Sequence, residues 1–308
     1  MSHLQLSHHI QLLVRSGVKI IVLGNEPNHP AVAWRDNPQR FYEASVTAKK
    51  TLETIGAKNV LISLPGLAHY GGDEYLAKLI KEFTALSYNH TERANPPFLP
   101  VDIVSDHFYG SIQDLLPRIM LMRARMKKEG IGDKKYFITE IGNPKGDFRQ
   151  NEITNQELAE CYIPQVLSLA VGSQLVDRIF YYSLYDATNA EHSLAKRQDG
   201  KLEKTPAYTS WSVMTRLLAR TNHISLTQER NHDRVDGKRR DGIHFSVLWA
   251  THMEEPAYVP IPKDAKVFSA LGQELKERSE ETLLLPPPSR DSLGGPAAIF
   301  LSHTDSPY

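Results

Sequence analysis

Short apolar runs rich in β-branched residues alternate with segments of helical spacing over the first two thirds of the chain. The runs cover residues 18–24, 59–66, 101–110, 135–142 and 177–187. After each run, apolar residues recur every three or four positions, in stretches that begin near residues 37, 72, 111, 154 and 206. Strands that alternate with helices in this way predict a parallel sheet with crossover helices.

Two architectures fit such an alternation: an open doubly wound sheet and a (β/α) barrel. None of the five strand-to-helix turns has the glycine-rich fingerprint of a dinucleotide fold. Three of the five strands instead end in polar groups suited to chemistry, which is where barrel enzymes have their sites. We therefore predict an α/β chain in which residues 1–220 form part of a (β/α)8 TIM barrel.

The pattern changes at about residue 221, where the helical spacing ends. Short predicted strands follow, separated by turns rich in Gly, Pro and Asp, and this arrangement is typical of a small β-sandwich. We predict an all-β domain over residues 221–308. At the other end, residues 1–17 predict an amphipathic helix that stops at Gly17 and lacks the layout of a signal peptide.

The composition of the chain disfavours several classes of binding partner and cofactor. The 36 basic and 36 acidic side chains cancel, which disfavours nucleic acid or an anionic membrane as the main partner. No apolar run approaches the roughly 18 residues that span a bilayer. The single cysteine, Cys161, excludes an internal disulfide and a cysteine-based metal cluster. The 13 histidines show no paired-ligand spacing, so neither a metal nor another cofactor is expected.

Two of the predicted strands are followed directly by a turn that contains a glutamate. Glu26 follows the first strand in Gly24-Asn25-Glu26-Pro27, and Glu140 follows the fourth in the stretch ITEIG. Paired carboxylates are the usual catalytic groups of glycoside hydrolases. One group protonates the leaving oxygen, and the other attacks the anomeric carbon or activates water. Asn25, beside the first glutamate, is placed to hydrogen-bond a sugar hydroxyl.

The stretches GNEPN and ITEIG, three strands apart, resemble the clan A glycoside hydrolases, which are retaining barrel enzymes. The resemblance implies that Glu26 closes strand four and is the acid/base. It implies that Glu140 closes strand seven and is the nucleophile. It also implies a carbohydrate substrate and a small β-domain after the barrel.

The resemblance extends to the other predicted strands. The stretch SDHFYG resembles strand six, which implies that His107 contacts substrate and that Tyr109 steadies the nucleophile. The stretch IFYYSLYDA resembles strand eight, where Tyr182 or Tyr185 replaces the usual tryptophan under the sugar. Trp34 is a further candidate for an aromatic platform.

If residues 18–24 are strand four, strands one to three have no counterpart in the chain. The predicted fold is therefore strands four to eight of the barrel, and five strands leave two open edges. The resemblance also implies an arginine on strand two that no position here matches. A chain that supplies the missing strands is thus an expected partner.

Three functions remain as alternatives. The first is a retaining O-glycosidase, for which the two carboxyl groups should lie about 5 Å apart rather than about 9 Å. The second is a half-barrel without catalytic activity that binds carbohydrate or needs a partner chain. The third is a metal-dependent barrel hydrolase that uses His29, His69 and His107, each of which follows a predicted strand. The sequence predicts neither which sugar is cleaved nor the cellular compartment of the protein.

Overall fold

The computed structural model describes residues 2–29, 37–68, 71–90, 99–142, 154–185, 192–252, 255–262, 265–275, 282–288 and 295–302. The chain divides into two compact units. Residues 1–108 and 120–140 form the first, and residues 109–119 and 141–308 form the second. The division of the chain into a barrel portion at 1–220 and a β-sandwich at 221–308 stays a prediction.

The first unit alternates helices and parallel strands, as predicted. Its elements are α1 (His3–Arg15), β1 (Ile20–Val22), α2 (Pro38–Thr54), β2 (Leu61–Ser63), α3 (Gly72–His90), β3 (Ile103–Phe108) and β4 (Lys135–Ile141). Helix α4 (Ile112–Lys128) follows β3 in the chain, and its residues are divided between the two units at position 120. The four strands follow one another across the sheet in chain order. The β1–β2 and β2–β3 pairs are parallel. No helix in the described residues combines the length and apolarity that crossing a membrane requires.

Strand β3 of this sheet is buried on both faces, as strands of parallel sheets usually are. All six residues of β3 are buried, including Ser105, Asp106 and His107. The adjacent helix α2 begins where the sequence predicts, because the Asn37 side chain accepts a hydrogen bond from the Arg40 N–H at 3.1 Å and Pro38 follows it. Polar side chains on a fully buried strand point to a site rather than to packing.

Strand β1 lies at the edge of this sheet. In the described residues β2 pairs with one side of it, and no strand pairs with the other. A cavity of about 360 Å³ lies there, lined by α1, β1 and α2. Val22 on β1 and Leu13 on α1 both line it, with exposed fractions of 41% and 40%. The edge is thus both unpaired and apolar in this part of the chain.

The second unit begins with helical segments and a short strand. They are α5 (Asn155–Glu157), a π-helix (Leu158–Tyr162), α6 (Ile163–Gly172), β5 (Arg178–Tyr181), the hairpin β6 (Ala195–Gln198) and β7 (Lys201–Lys204), and α7 (Pro206–Leu218). The predicted capping box at Thr154 is confirmed, since its hydroxyl accepts from the Glu157 N–H and the Glu157 carboxylate accepts from the Thr154 N–H. The strand predicted over 177–187 is observed as the shorter β5.

Antiparallel sheets complete the second unit. Their strands are β8 (Thr221–Gln228), β9 (His232–Arg239), β10 (His244–Ala250), β11 (Ala257–Pro260), β12 (Lys266–Ser269), β13 (Thr282–Leu285) and β14 (Ala298–Ser302). Five of them form a sheet in the order β12-β14-β10-β9-β8, and β11 pairs with β13. Both sheets contribute to one apolar cluster, in which Leu248 and Phe300 meet Val259 and Leu283. The observed fold is therefore mixed α/β, with a parallel sheet and additional antiparallel ones.

The helix over 155–172 is joined to the five-stranded sheet through polar contacts. Pro164 has no N–H, so the Glu160 carbonyl lacks its usual helical donor and accepts the Ala297 N–H at 2.9 Å instead. The Gln165 side chain donates to the Gly295 carbonyl at 2.7 Å. Further along, Gln174 donates to the Ile224 carbonyl at 2.9 Å. The helical segment is therefore held to the five-stranded sheet and its adjoining loop by hydrogen bonds.

Strand β9 and the β6–β7 hairpin were not predicted from the hydrophobic pattern. On β9 only Asp233 and Val235 are buried, and one of these is apolar, so the strand has almost no hydrophobic signature. The hairpin is exposed along nearly its whole length and turns at Asp199-Gly200. That Asp-Gly pair is the signal that would have located it.

Asp233 makes the stability of the second unit depend on pH. Its burial raises the pKa of the carboxyl from 3.8 to about 6, although a hydrogen bond from Gln228 opposes the shift. Between these two values the folded chain binds a proton that the unfolded chain has lost, so the free energy of unfolding falls as pH rises. Above pH 6 we expect the free energy of unfolding to be about 3 kcal/mol lower than it is well below pH 4.

Replacing Asp233 with asparagine should remove this dependence. In urea unfolding, Asp233→Asn should be more stable than the parent at neutral pH and no more stable well below pH 4. The control is Asp199→Asn, at an exposed turn with a φ of +49° that asparagine also adopts. A parent protein whose stability rises between pH 4 and pH 7 while the variant follows it would contradict the assignment.

Candidate active site

The turn after β1 holds Glu26 in an uncommon backbone conformation. Gly24 has a φ of +91° and Glu26 a φ of +40°. The Glu26 N–H donates to the Gly66 carbonyl at 2.8 Å, and the Glu26 carbonyl accepts from the His29 N–H at 2.9 Å. A non-glycine residue in the left-handed region is retained only where its surroundings fix it, and such residues concentrate at functional sites.

A second pair of hydrogen bonds fixes the same turn. The Asn28 side chain donates to the Ala68 carbonyl at 3.0 Å and accepts from the Ala68 N–H at 2.8 Å. The turn after β1 is therefore bonded at two points to the segment after β2. Sequence reasoning missed Asn28, although the second asparagine of Asn-Glu-Pro-Asn was the available signal, since asparagine amides often replace backbone partners in turns.

His107 on β3 contacts both predicted catalytic glutamates. Its Nδ1 atom lies 2.9 Å from Glu26 Oε1 and 3.3 Å from Glu140 Oε2. The imidazole is only 2% exposed, whereas the two glutamate side chains are 20% and 24% exposed. The buried ring therefore forms the floor of a site in which the carboxylates face outward.

Gly66 allows the imidazole to take this position. A Cβ atom on Gly66 would lie 1.9 Å from His107 Nε2, well inside van der Waals contact. The His107 N–H also donates to the Leu67 carbonyl at 2.8 Å. The segment after β2 thus fixes Glu26 through its backbone and His107 through the absence of a side chain.

Glu140 is presented by the regular strand β4. Next to it, the Thr139 hydroxyl donates to the Asp106 carbonyl at 3.4 Å. Deeper in the core the Tyr136 hydroxyl donates to the buried Asp106 carboxylate at 3.0 Å. These bonds join β4 to the strand that carries His107, so the nucleophile candidate and the imidazole are held by the same pair of strands.

Glu26, His107 and Glu140 each offer an oxygen or nitrogen atom, and these atoms lie within 4.8 Å of one another. The carboxylates are thus close enough to act on one reacting carbon, with an imidazole between them to share protons. The same three groups could also coordinate a divalent cation. His29 is not in this group, and His69 lies outside the described residues.

The remaining predicted site residues are distributed differently. Asn25 is exposed and forms a bridge with Gly66, in the same turn as Glu26. Tyr109, Tyr182 and Tyr185 belong to the second unit, where Tyr182 and Tyr185 are 51% and 37% exposed. Trp34 lies outside the described residues. The roles of all five stay predictions.

Solved structures with a similar fold include several glycoside hydrolases. A family 39 glycoside hydrolase from the gut symbiont Bacteroides cellulosilyticus WH2 has a TM-score of 0.64 at 14% identity, over 96% of this chain and 60% of its own. A GH51 α-L-arabinofuranosidase from Thermotoga petrophila RKU-1 has a TM-score of 0.60 at 12% identity, over 91% and 65%. A GH39 β-xylosidase from Caulobacter crescentus has a TM-score of 0.59 at 13% identity, over 97% and 71%.

These similarities cover most of this chain but only part of the other proteins. The chain spans about three fifths of the length of a glucosidase from Croceicoccus marinus, at 61%. A scan against models of protein families gives no match, and a search of curated proteins gives none either. The predicted resemblance is therefore confirmed at the level of the fold: the chain folds like part of a clan A glycoside hydrolase.

Proposed function

We propose that this chain carries the active site of a retaining O-glycoside hydrolase, with Glu140 as nucleophile and Glu26 as acid/base. The observation that carries the proposal is that one oxygen of each carboxylate lies within 4.8 Å of the other and that both carboxylates contact the same imidazole nitrogen. Retaining enzymes place these groups about 5–5.5 Å apart, whereas inverting enzymes leave about 6.5–9.5 Å for a water molecule. The spacing of the nearest oxygens is closer to the first range, which supports the proposal of a retaining mechanism.

In the first step a Glu140 oxygen attacks the anomeric carbon while the bond from that carbon to the leaving oxygen breaks. Glu26 gives its proton to the leaving oxygen, so the alcohol departs neutral. The products of this step are a glycosyl ester on Glu140 and a carboxylate at Glu26. The regular strand β4 keeps the attacking oxygen in place, which favours its assignment as nucleophile.

In the second step the Glu26 carboxylate takes a proton from water, and the water oxygen attacks the anomeric carbon. The ester bond to Glu140 breaks, which frees the sugar with its original configuration and restores both glutamates. One water molecule is consumed in each cycle. No cofactor takes part in either step.

His107 acts as a positioning residue in this scheme. Its Nδ1 atom is within hydrogen-bond distance of Glu26 and also contacts Glu140, so one ring touches both carboxyl groups. One fixed ring therefore sets the separation of the two catalytic oxygens. Burial of the ring beneath Gly66 limits its rotation.

The substrate is proposed to be a glycoside, oligosaccharide or polysaccharide. Asn25, which precedes Glu26 on the exposed side of the turn, would bond a hydroxyl next to the reacting carbon. Tyr109, Tyr182, Tyr185 and Trp34 are proposed to line the sugar, by resemblance alone. The names of the similar structures include a xylosidase, an arabinofuranosidase and a glucosidase, so these sugars come first in a test.

A second candidate, favoured by the edge of β1 with which no described strand pairs, is a half-barrel that is active only with an added segment. An extended apolar segment that pairs in parallel with β1 would satisfy the exposed backbone groups of that edge. It would also cover Val22 and Leu13 in the adjoining cavity of about 360 Å³. The proposed occupant is a strand and helix equivalent to those that precede strand four in the family that the sequence resembles.

A mechanism-based trap tests both candidates. The chain is incubated with 2-deoxy-2-fluoro xylosides, glucosides and arabinofuranosides that bear a good leaving group, and its intact mass is measured. The fluorine slows both steps and the leaving group restores the first, so a retaining enzyme accumulates the glycosyl ester. We expect a mass increase of one fluorosugar, and peptide mapping should place it on Glu140.

Three controls accompany the trap. Glu140→Gln should remain unlabelled, and a chelator should leave labelling unchanged, whereas a metal-dependent hydrolase would give no ester. Circular dichroism establishes that the chain is folded. A folded chain without adduct would contradict independent activity and favour the second candidate, and an adduct on another residue would contradict the assignment of the nucleophile.

A further inference from the structure

The pairing of β1 with β2 continues beyond the ends of both strands. Within the strands, Val22 is the partner of Ser63. The same register places Asn25 beside Gly66, where a further parallel bridge forms. The Glu26 N–H then donates to the Gly66 carbonyl at 2.8 Å. The backbone of the acid/base candidate is therefore held by a continuation of the β1–β2 pairing.

Pro27 interrupts this pairing directly after Glu26. Proline has no N–H to donate, and the φ of +40° at Glu26 turns the chain away from the extended conformation. A left-handed conformation is unfavourable for a residue with a side chain and is retained only where neighbouring contacts fix it. The turn thus needs a support that the backbone nitrogen of residue 27 cannot provide.

The side chain of Asn28 provides that support. Its amide donates to the Ala68 carbonyl at 3.0 Å and accepts from the Ala68 N–H at 2.8 Å. Asparagine is suited to this role because its planar side chain carries both a donor and an acceptor. The side chain therefore bonds both backbone groups of Ala68, as a neighbouring strand would, and continues the pairing past the proline.

The segment that Asn28 binds is itself held by β3. Leu67, next to Ala68, donates to the Ser105 carbonyl at 3.1 Å and accepts from the His107 N–H at 2.8 Å. Leu67 and Ala68 are both buried. The segment over residues 66–68 therefore bonds to the turn after β1 on one side and to β3 on the other.

These bonds place Glu26 relative to His107. Glu26 Oε1 lies 2.9 Å from His107 Nδ1, a distance that requires the turn and β3 to keep their register. The bond from the Glu26 N–H to Gly66 fixes the start of the turn, and the two bonds of Asn28 fix its end. With both ends held, the backbone at Glu26 has little freedom to rotate.

We propose that Asn28 is a positioning residue for general acid/base catalysis. Its amide holds Glu26 in the conformation from which the carboxyl group protonates the leaving oxygen and later takes a proton from water. The inference rests on the proposed function, because it takes Glu26 as the acid/base. Asn28 acts through the backbone of the turn, so its loss should resemble a partial loss of Glu26.

Steady-state kinetics of Asn28→Ala test the inference, with the 2,4-dinitrophenyl glycoside of the sugar that labels the chain in the trap. Dinitrophenolate departs without a proton, so the ester on Glu140 should form at the parental rate while its hydrolysis slows. We expect kcat to fall about 10–10²-fold and KM to fall with it, which leaves kcat/KM unchanged. Azide attacks the ester without a general base and should raise kcat about tenfold.

These readouts separate positioning from a loss of folded protein, which would lower kcat at constant KM and would not respond to azide. Asn37→Ala is the matched control. The Asn37 side chain also accepts a backbone hydrogen bond in the first unit, from the Arg40 N–H at 3.1 Å. Its loss should lower the melting temperature, as the loss of a helix cap does, and should leave kcat, KM and the azide response at parental values.

Amide hydrogen exchange tests the same inference without turnover. In the folded parent the N–H groups of Glu26 and Ala68 are hydrogen bonded and should be protected. In Asn28→Ala both should exchange at least about tenfold faster. The N–H of Ile62 donates to Asp102 at 2.8 Å in the same unit, and its exchange should be unchanged.

Three results would overturn the inference. Rapid exchange at Ala68 in the parent would contradict the bond to Asn28, and this measurement needs no variant. Unchanged exchange at Glu26 in Asn28→Ala would contradict the support of the turn, whether or not the chain cleaves sugars. Parental kcat in an active Asn28→Ala would contradict its part in catalysis.

Failure of the proposed function gives a different result. Glu26→Ala would then also lack a response to azide, because Glu26 would not be the acid/base. If only the inference about Asn28 is wrong, Glu26→Ala keeps its azide response and Asn28→Ala behaves as the parent.

Discussion

Replacing Glu140 with alanine is expected to stop turnover, and azide is expected to restore it with inversion at the anomeric carbon. Without the nucleophile no ester forms, and the rate should fall by at least about 10⁴-fold, the order found when a covalent nucleophile is removed. Azide fits the space of the missing carboxylate and attacks the substrate directly. A single displacement gives a glycosyl azide of the opposite configuration.

Glu26→Ala should respond to azide in the opposite way. With an activated leaving group the ester on Glu140 still forms, and azide then attacks it in place of water, so the glycosyl azide retains configuration. With poor leaving groups the rate should fall about 10²–10⁴-fold, because general acid catalysis is lost. The configuration of the two azides, read by NMR, identifies which glutamate is which.

Glu53→Ala is the control for these variants, since Glu53 is an exposed carboxylate on α2 in the same unit. Its rate should equal that of the parent. Retention with Glu140→Ala and inversion with Glu26→Ala would mean that the two roles are exchanged. Parental rates in both variants would mean that the pair takes no part in catalysis.

Gly66→Ala is expected to inactivate the site although the residue has no functional group. The added methyl would lie 1.9 Å from His107 Nε2, so the buried ring must move and its contacts with Glu26 and Glu140 are lost. A displacement of about 1 Å in a catalytic constellation can cost about 10²-fold. The rate of labelling by the fluorosugar trap should fall by this amount or more.

The same substitution should lower the stability of the first unit, because overpacking of a close-packed core costs about 1–3 kcal/mol. Gly132→Ala is the matched control, since its methyl would lie 3.4 Å from the nearest atom, at ordinary contact distance. Thermal unfolding and labelling are measured on both variants. A Gly66→Ala chain that labels at the parental rate would contradict the placement of His107 against Gly66.

The parallel strands could be predicted because their burial on both faces requires uninterrupted apolar runs. Convergence of Glu26 and Glu140 could also be predicted, since carboxyl ends of parallel strands lie along one edge of the sheet. Those two residues and the helix caps are local features of the sequence. They depend on spacing and turn chemistry, which a single sequence contains.

What could not be predicted depends on contacts between distant segments. The position of His107 between both carboxylates requires that residue 66 be glycine, 41 positions away in the chain, and nothing near His107 in the sequence indicates it. Asn28 likewise acts only through its pairing with Ala68. Strand β9 could not be predicted because three of its residues, Arg234, Asp236 and Lys238, line a cavity of about 370 Å³ instead of packing in an apolar core.

The bond from Ala297 to the Glu160 carbonyl has a consequence for how the chain can be dissected. A proline in the helix left that carbonyl without a donor, and a residue 137 positions later supplies it. A chain ended at residue 220 would expose the carbonyl and the helix face that β8, β9 and β10 cover. The last strand is thus part of the folding unit of the helix, and a shorter piece bearing both glutamates would have to retain it.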